Sequence, residues 1–252
     1  MTAAPNLPAP YRLLPYERLA SSNDEAKRLA REGAEAGTVV WAREQTAGHG
    51  RRGRQWIGIL GNLFVSFILR PDCRPAAAAQ LGFVAALGLV DAIADIAPPD
   101  VELRCKWPND VLLNRKKVAG ILLESETGAS ASIEWLVVGI GANVVGHPDA
   151  QEHPATSLRA EGCATVDSGM MLESLARHFL VWCDRWRHDG FAPIRAAWLD
   201  RAVGIGDAIT VRLDRERVEG RFVGLDADGA LALETVSGAR RIAAGDVFPA
   251  MG

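Results

Sequence analysis

The segment TVVWAREQTAGHGRRGRQWIGILGNLFVSFILR, residues 38–70, predicts two strands joined by a loop. The strand-like runs are TVVWAREQ (38–45) and NLFVSFILR (62–70), and TAGHGRRGRQW (46–56) lies between them. Glycines let a backbone approach a ligand closely, and arginines offer forked donors that match carboxylates and phosphates. The loop is therefore a candidate anion site. A solvated hairpin loop with clustered charge and a contact to nucleic acid are the alternatives.

Two common nucleotide-binding motifs do not fit this loop. Its spacing differs from G-x-x-x-x-G-K-[ST], so it is not a P-loop. A strand rather than a helix follows it, which excludes a dinucleotide fingerprint. If the loop binds a phosphate, it does so in another way.

The segments before and after residues 38–70 have apolar residues at helical spacing, which predicts helices. In SSNDEAKRLAREGAEAG (21–37), Ser22 followed by Glu25 is a capping-box pattern, and Gly37 is expected to end the helix. The segment RPAAAAQLGFVAALGLVDAIADIAPPD (74–100) is rich in alanine and leucine. It predicts one buried helix of about 20 residues.

Strand patterns follow this helix. VELRCKWPNDVLLNRKKVAGILLESE (101–126) alternates short apolar runs with polar breaks, which predicts three strands joined by turns. IEWLVVGIGANVVG (133–146) predicts a further strand that ends in a glycine-bearing turn. Two helices are then expected, separated near Gly190.

The spacing of apolar residues changes near Val203, from a helical pattern to short alternating runs. From there, short alternating runs are separated by Asp228-Gly229 and Ser237-Gly238, which is typical of a small β-barrel of four or five strands. We therefore expect two domains, an α+β domain over residues 1–202 and a β domain over residues 203–252.

Composition limits the classes of partner and site. The chain is 48% hydrophobic and carries a net charge of only −3, so a protein devoted to a phosphate backbone is not expected. No run reaches the roughly 18 apolar residues of a membrane span. The cysteines form no C-x-x-C pair, which argues against a zinc site or disulfide framework. We expect a soluble protein of a reducing cytoplasm. The cysteines are Cys73, Cys105, Cys163 and Cys183.

The stretch KWPNDVLLNRKKVAG (106–120) is the second candidate for site chemistry. Lys106 and Lys117 fall at strand-like positions, and an inward-facing lysine needs an anionic partner. That partner is either a carboxylate such as Asp110 or a ligand. Asp110 could alternatively help to hold magnesium, and Asn143 offers a neutral amide for a phosphate, a ribose or a metal shell.

Five motifs in register resemble the biotin protein ligases, also called biotin–[acetyl-CoA-carboxylase] ligases. The resemblance covers nearly the whole chain and favours the short class that lacks an N-terminal DNA-binding domain. It implies a mixed sheet with packed helices, like the class II aminoacyl-tRNA synthetases, and a Src-homology-3-like C-terminal β-barrel. The motifs are SSN (21–23), QTAGHGRRGRQW (45–56), KWPNDVLL (106–113), KKVAGILLE (116–124) and GIGANV (139–144).

The resemblance implies a cytoplasmic enzyme that uses ATP, with magnesium, to convert biotin into biotinyl-5′-AMP. The biotinyl group would then pass to one lysine of the biotin carboxyl carrier protein of acetyl-CoA carboxylase or of a related carboxylase. Neither nucleic acid nor a membrane is expected as a partner, and the chain is expected to be a monomer or a homodimer. A lipoate or octanoate carrier acyltransferase and a non-catalytic biotin-binding module are the alternatives.

The resemblance also assigns residues to three roles. The catalytic residues would be Arg51, Lys106 and Lys117. Biotin would contact Ser21, Ser22, Asn23, Gln45, Gly48, His49, Gly50, Arg51, Lys117 and Gly120. ATP would contact Arg51, Arg54, Trp56, Lys106, Asn109 and Asn143. One departure stands out, because His49 lies where the family most often has arginine, which gives up a permanent charge.

Overall fold

A seven-stranded mixed sheet forms the centre of the larger part of the molecule. The computed structural model describes residues 5–128, 131–149 and 154–249. The strand order is β1-β2-β3-β7-β6-β5-β4, with β1 parallel to β2 and every other pair antiparallel. The strands are β1 (Arg12–Leu19), β2 (Thr38–Gln45), β3 (Leu63–Leu69), β4 (Leu103–Lys106), β5 (Asp110–Leu113), β6 (Lys116–Thr127) and β7 (Ile133–Ala142).

All the strands predicted in this region are confirmed, but β1 was not predicted. Its sequence, RLLPYERL, lies at the edge of the sheet, and none of its residues is buried. An edge strand in contact with solvent needs no apolar alternation, so it leaves little signal in the sequence.

The first helix begins and ends differently from the prediction. It spans Ser22–Arg31 (α1), and its N-cap is Ser21, whose hydroxyl accepts a hydrogen bond from the backbone N–H of Asp24 at 3.4 Å. Ser22 is not the cap, because its own hydroxyl is directed at the side chain of Gln45. The helix also ends well before Gly37.

The alanine-rich segment forms two helices rather than one. They are α2 (Pro75–Ala79) and α3 (Leu81–Ala94), with a break at Gln80, whose side chain accepts a hydrogen bond from Trp186 Nε1 at 2.9 Å. Together, Pro75–Ala94 has the length and apolar composition of a membrane-crossing helix, but 78% of its most apolar stretch is buried inside the protein.

The helices cover both faces of the sheet. On one face, α3 packs with α4 (Ser168–Asp189) and α5 (Phe191–Asp200), the two helices predicted around Gly190. On the other face, Ala26 and Ala30 of α1 pack against Val40, Ile68 and Trp135. The N-terminus of α1 therefore lies directly over the sheet.

The C-terminal region contains five strands, where four or five were predicted, but they form an open antiparallel sheet in the order β11-β10-β9-β8-β12. Among the described residues, β12 pairs only with β8, so the two outer strands do not meet and the barrel does not close. The expectation of a closed barrel is thus not met. The strands are β8 (Ala208–Arg212), β9 (Arg217–Leu225), β10 (Leu231–Thr235), β11 (Gly238–Ile242) and β12 (Asp246–Pro249).

Three hydrogen bonds join β4 and the turn after it to the C-terminal sheet and to the segment that leads into this sheet. Backbone hydrogen bonds join Cys105 to Arg201 at 2.7 Å and Val203 to Cys105 at 2.9 Å. Trp107 donates its indole N–H to the carbonyl oxygen of Gly229 at 3.3 Å. These contacts bring the beginning of β12 close to the KWPND segment.

Candidate functional site

A cavity of about 200 Å³ opens between the N-terminus of α1, the loop after β2, the KWPND turn, strands β6 and β7, and the beginning of β12. Every predicted site residue except Gly48 lines it. The predicted residues at the cavity are Ser21, Ser22, Asn23, Gln45, His49, Gly50, Arg51, Arg54, Trp56, Lys106, Asn109, Lys117, Gly120 and Asn143.

Gly48 lies behind the cavity rather than in its wall. A Cβ atom at this position would overlap the side-chain nitrogen of Gln45 and would approach the Trp56 carbonyl oxygen to 2.8 Å. Gly48 is therefore required because the amide of Gln45 passes close to the backbone.

Uncharged polar groups line one end of the cavity (Ser22, Asn23 and Gln45), and together with the buried Ser66 behind them we call this the neutral end. Ser22 donates to Gln45 Oε1 from its backbone N–H at 2.9 Å and from its hydroxyl at 3.2 Å. With its oxygen held in this way, Gln45 Nε2 has no acceptor among the described residues. It remains available to a ligand that offers a carbonyl oxygen.

Ser66 is a site residue that the sequence analysis missed. It is fully buried in β3, and its hydroxyl donates to Asn23 Oδ1 at 2.6 Å. A single hydroxyl within the apolar run LFVSFIL was the available signal, because a buried polar side chain needs a partner. Ser66 determines which end of the Asn23 amide faces the sheet.

The glycines of GIGAN form the floor of the cavity and not a turn, contrary to the prediction. Gly139 and Gly141 both lie inside β7, on the same face of the strand. A Cβ atom on Gly139 would overlap the side-chain oxygen of Asn23. One on Gly141 would lie 2.5 Å from the indole ring of Trp56. The two glycines make room for an amide and for an aromatic ring, respectively.

Positive groups gather at the other end, which we call the cationic end (Arg51, Arg54, Lys106 and Lys117). Lys117 Nζ lies 2.6 Å from Asp110 Oδ1 and 5.4 Å from the centroid of the Trp56 ring, so the internal ion pair that the sequence left open as an alternative exists within the cavity wall. Lys106 Nζ has no ion pair or hydrogen bond with any described residue. Burial lowers the pKa of Lys106. An anionic ligand would relieve that cost.

The C-terminal sheet holds the arginines of the loop. Arg54 forms an ion pair with Asp246, and Arg52 reaches the same carboxylate at 3.2 Å and Asp214 at 2.8 Å. Arg51 donates to the carbonyl oxygen of Gly245 at 3.4 Å, and burial lowers its pKa.

Asp246 was missed by the sequence analysis, because nothing in the local pattern around it indicates a cavity. Burial raises its pKa, but the hydrogen bond and charge of Arg54, with the other arginines, outweigh burial and leave the pKa below its ordinary value. Asp246 is therefore the negative counterpart of this arginine group near neutral pH.

Two predicted nucleotide contacts are built into the walls. Asn109 donates to the Ile121 carbonyl oxygen at 2.8 Å. Asn143 donates to the Thr156 carbonyl oxygen at 3.0 Å and accepts a bond from Asn62. Their amides shape the cavity through these protein contacts.

Asn62 was also missed, although it is fully buried. Its side-chain oxygen accepts the backbone N–H groups of Val144, Val145 and Gly146, at distances between 2.9 and 3.1 Å. It holds the segment after β7 in place beside the cavity.

Comparisons with known proteins agree with this geometry. The Biotin/lipoate A/B protein ligase family matches residues 56–200, and the Biotin protein ligase C terminal domain matches residues 204–248. The biotin–[acetyl-CoA-carboxylase] ligase of Paracoccus denitrificans is 45% identical, over 92% of this chain and 98% of its own. The bifunctional ligase/repressor BirA of Bacillus subtilis is 34% identical, over 93% of this chain and 73% of its own.

A solved structure of a biotin protein ligase has the same fold as this chain. The biotin protein ligase from Aquifex aeolicus in complex with biotin and ATP superimposes with a TM-score of 0.81, at 27% identity, over 94% of this chain and 97% of that one. The family match, the near-complete alignment to a relative and the shared fold agree, and the chain belongs to the biotin protein ligase family.

Proposed function

We propose that this protein is an ATP-dependent ligase that converts biotin into biotinyl-5′-AMP and then transfers the biotinyl group to a carrier lysine. One observation carries the proposal. The cavity has a neutral end that presents amides and hydroxyls and a cationic end that presents two lysines and two arginines. Biotin has a neutral ureido ring at one end and a carboxylate at the other, and this polarity matches the cavity. The ATP phosphates would share the cationic end.

The first step joins two anions. A carboxylate oxygen of biotin attacks the α-phosphorus of ATP, the new P–O bond forms, and pyrophosphate leaves. Lys117 and Arg51 would neutralise the carboxylate, and Lys106 and Arg54 the phosphates. The protein provides no covalent nucleophile in this scheme. It brings the groups together and stabilises the charge that develops in the transition state.

The second step transfers the acyl group. The neutral amine of a carrier lysine attacks the acyl carbon, the C–N bond forms, AMP leaves with the electrons of the broken C–O bond, and the amine nitrogen releases one proton to water. The mixed anhydride is labile in water, so the glycine-rich loop (residues 46–61) would cover it between the steps. Its attachment to the C-terminal sheet through Arg52 and Arg54 supports this covering role.

Magnesium would enter with ATP. The described residues contain no group of three or more His, Cys, Asp or Glu side chains placed to hold a metal ion. The two carboxylates that line the cavity, Asp110 and Asp246, both pair with cations. The phosphate oxygens and water would supply most ligands, as is common for this ion.

The same proposal extends to the architecture and the partners. We propose domains at residues 1–202 and 203–252, related to the class II synthetase core and to the Src-homology-3 fold, respectively; the two family matches at 56–200 and 204–248 support the boundary. The acceptor would be the biotin carboxyl carrier protein of a carboxylase. The enzyme would act in the cytoplasm, as a monomer or a homodimer.

A turnover assay tests the proposal. The protein is incubated with ATP, magnesium, biotin and a carrier domain, and the products are identified by mass spectrometry. We expect biotinyl-AMP without carrier and biotinylated carrier when it is added. Calorimetry with biotin and lipoate in parallel separates the alternatives, since tighter binding of lipoate would indicate a lipoyl substrate. Biotin binding without either product would indicate a non-catalytic binding module.

A further inference from the structure

In the N-terminal half of the glycine-rich loop, His49 lies close to two carboxylates beside the neutral end, those of Glu124 and Asp24. His49 Nε2 lies 3.5 Å from Glu124 Oε2 and 4.0 Å from Asp24 Oδ1. The same oxygen of Glu124 accepts a hydrogen bond from Asn23 Nδ2 at 2.9 Å. One carboxylate oxygen therefore touches both the loop and an amide of the neutral end.

The other oxygen of Glu124 is held by a lysine. Lys27 Nζ lies 2.7 Å from Glu124 Oε1 and 2.9 Å from Asp24 Oδ1. Burial raises the pKa of Glu124, but the hydrogen bonds from Lys27 and Asn23 outweigh it and leave the pKa below its ordinary value. Glu124 is thus an anion near neutral pH, and it accepts hydrogen bonds at both oxygens.

Glu124 and Ser66 together set the direction of the Asn23 amide. Ser66 donates to the oxygen of this amide, and the carboxylate of Glu124 accepts from its nitrogen. The side-chain amide of an asparagine can adopt two orientations in which oxygen and nitrogen exchange places, unless its hydrogen-bond partners distinguish the two atoms. Gly139 leaves the space in which this arrangement fits. The arrangement leaves one N–H of the amide for a ligand.

We propose, building on the function above, that Glu124 is a positioning residue that couples closure of the glycine-rich loop to the orientation of Asn23. Glu124 itself does not line the cavity among the described residues, so it acts through its neighbours. A ligand that holds Asn23 in this orientation also holds Glu124 where His49 can reach it. By reciprocity, the closed loop favours the ligand-binding orientation.

Glu126 is a matched control on the same strand. It lies two residues further along β6 and pairs with Arg31 of α1 at 3.0 Å, so it also joins this strand to the same helix. It contacts neither the loop nor Asn23. A role of Glu124 as a simple anchor for α1 predicts the same behaviour for both residues, whereas coupling predicts an effect of Glu124 alone.

The experiment compares Glu124→Gln, Glu126→Gln and the unaltered full-length protein. Calorimetry measures the Kd for biotin, and hydrogen exchange with mass spectrometry measures opening of residues 46–61 with and without biotin. We expect Glu124→Gln to weaken biotin about tenfold, since it removes a charged acceptor. We also expect faster exchange of the loop in the free protein and less protection by biotin. Glu126→Gln should match the unaltered protein in both measurements.

His49→Gln supplies the second arm of the test. It removes the loop side of the contact and leaves Asn23 and Lys27 on Glu124. The loop should exchange faster, with a smaller change in biotin Kd than for Glu124→Gln. Combining both substitutions should add little to the loop effect, because the two residues share one contact.

The outcomes separate the coupling from the proposed function. If Glu124→Gln behaves like Glu126→Gln, or weakens biotin with the loop exchange unchanged, the coupling is wrong. If the unaltered protein does not bind biotin, the proposed function fails. Even then, hydrogen exchange of residues 46–61 without biotin, compared between Glu124→Gln and the unaltered protein, decides whether Glu124 restrains the loop.

Discussion

The two ends of the cavity are stabilised in opposite ways. At the neutral end, Ser22, Asn23 and Ser66 bind one another or Gln45 through hydrogen bonds, so these polar groups are oriented without a ligand. At the cationic end, Lys106 is half-buried with no partner among the described residues, and burial lowers its pKa. Its environment favours the arrival of an anion.

This difference predicts different kinetic effects. Groups that are already oriented mainly determine how tightly a substrate binds, which appears in KM or Kd. Positive groups that gain most when charge gathers at the α-phosphorus act on the transition state, which appears in kcat. Substitutions at the neutral end should therefore change mainly KM or Kd, and substitutions at the cationic end should change mainly kcat.

The largest effect is expected for Lys117→Ala. We expect adenylate formation at saturating biotin and ATP to slow about a thousandfold, because the charge beside the reacting carboxylate is lost. Single-turnover release of pyrophosphate measures it. Lys116→Ala is the control, since Lys116 lies beside it on β6 and pairs with Glu161 at 3.3 Å, outside the cavity. Near-normal release from Lys117→Ala would refute this role, and a thermal melt shows whether the variant is folded.

Gly139→Ala should damage the neutral end by crowding it. The added methyl group overlaps the side chain of Asn23, and overpacking of this kind costs about 1–3 kcal/mol. We expect biotin to bind up to roughly a hundredfold more weakly, with a smaller change in the Kd for ATP, measured by calorimetry. Gly128→Ala is the control, because its nearest neighbour lies 3.7 Å from the added atom. Equal loss of both ligands would show that the two ends are not independent.

The residues expected at the site gather at one cavity, although their motifs lie in different elements, namely the loop after β2, the start of α1 and the interiors of β6 and β7. Strand β2 was predicted with its correct bounds, and all the predicted cavity residues but Gly48 lie at the cavity. Those assignments came from the resemblance, however. Composition alone left a solvated loop and an internal ion pair open, and Lys117 does form that ion pair with Asp110.

The misses share a physical cause, which is that the partner lies far away in the chain. Ser66 binds Asn23 across 43 positions, and Asp246 binds Arg52 across 194. The break at Gln80 depends on Trp186, which lies in another helix. Local periodicity carries no information about such contacts. They follow only from the order of strands and helices.

Ser66→Ala should have a smaller effect, which is confined to the binding of biotin. It removes one hydrogen bond from Asn23, so we expect the KM for biotin to rise about tenfold with kcat nearly unchanged. Steady-state kinetics at saturating ATP measures both. Ser174→Ala is the control, as its buried hydroxyl donates to Asp95 at 3.2 Å, far from the cavity. A fall in kcat for Ser66→Ala would contradict the division between the ends.

The smallest effect is expected for a substitution of Glu161, which supports the segment behind the cationic end. Glu161 accepts hydrogen bonds from Thr156 at 2.6 Å and from Asn114 at 2.7 Å, and these bonds, with Lys116, hold its pKa below the ordinary value despite burial. A depressed pKa in the folded state means that the carboxylate stabilises the fold above the unfolded pKa. That contribution disappears as the pH falls through the folded value.

We therefore expect Glu161→Gln to lower the free energy of unfolding by about 1 kcal/mol at pH 7. The difference from the unaltered protein should shrink at an acidic pH below the depressed folded-state pKa of Glu161, where the carboxyl group is protonated in both states. Urea unfolding at the two pH values measures it. Because Glu161 holds the wall and does not touch the ligands, the Kd for biotin should stay unchanged. A rise in that Kd would show that the wall at the cationic end also shapes the neutral end.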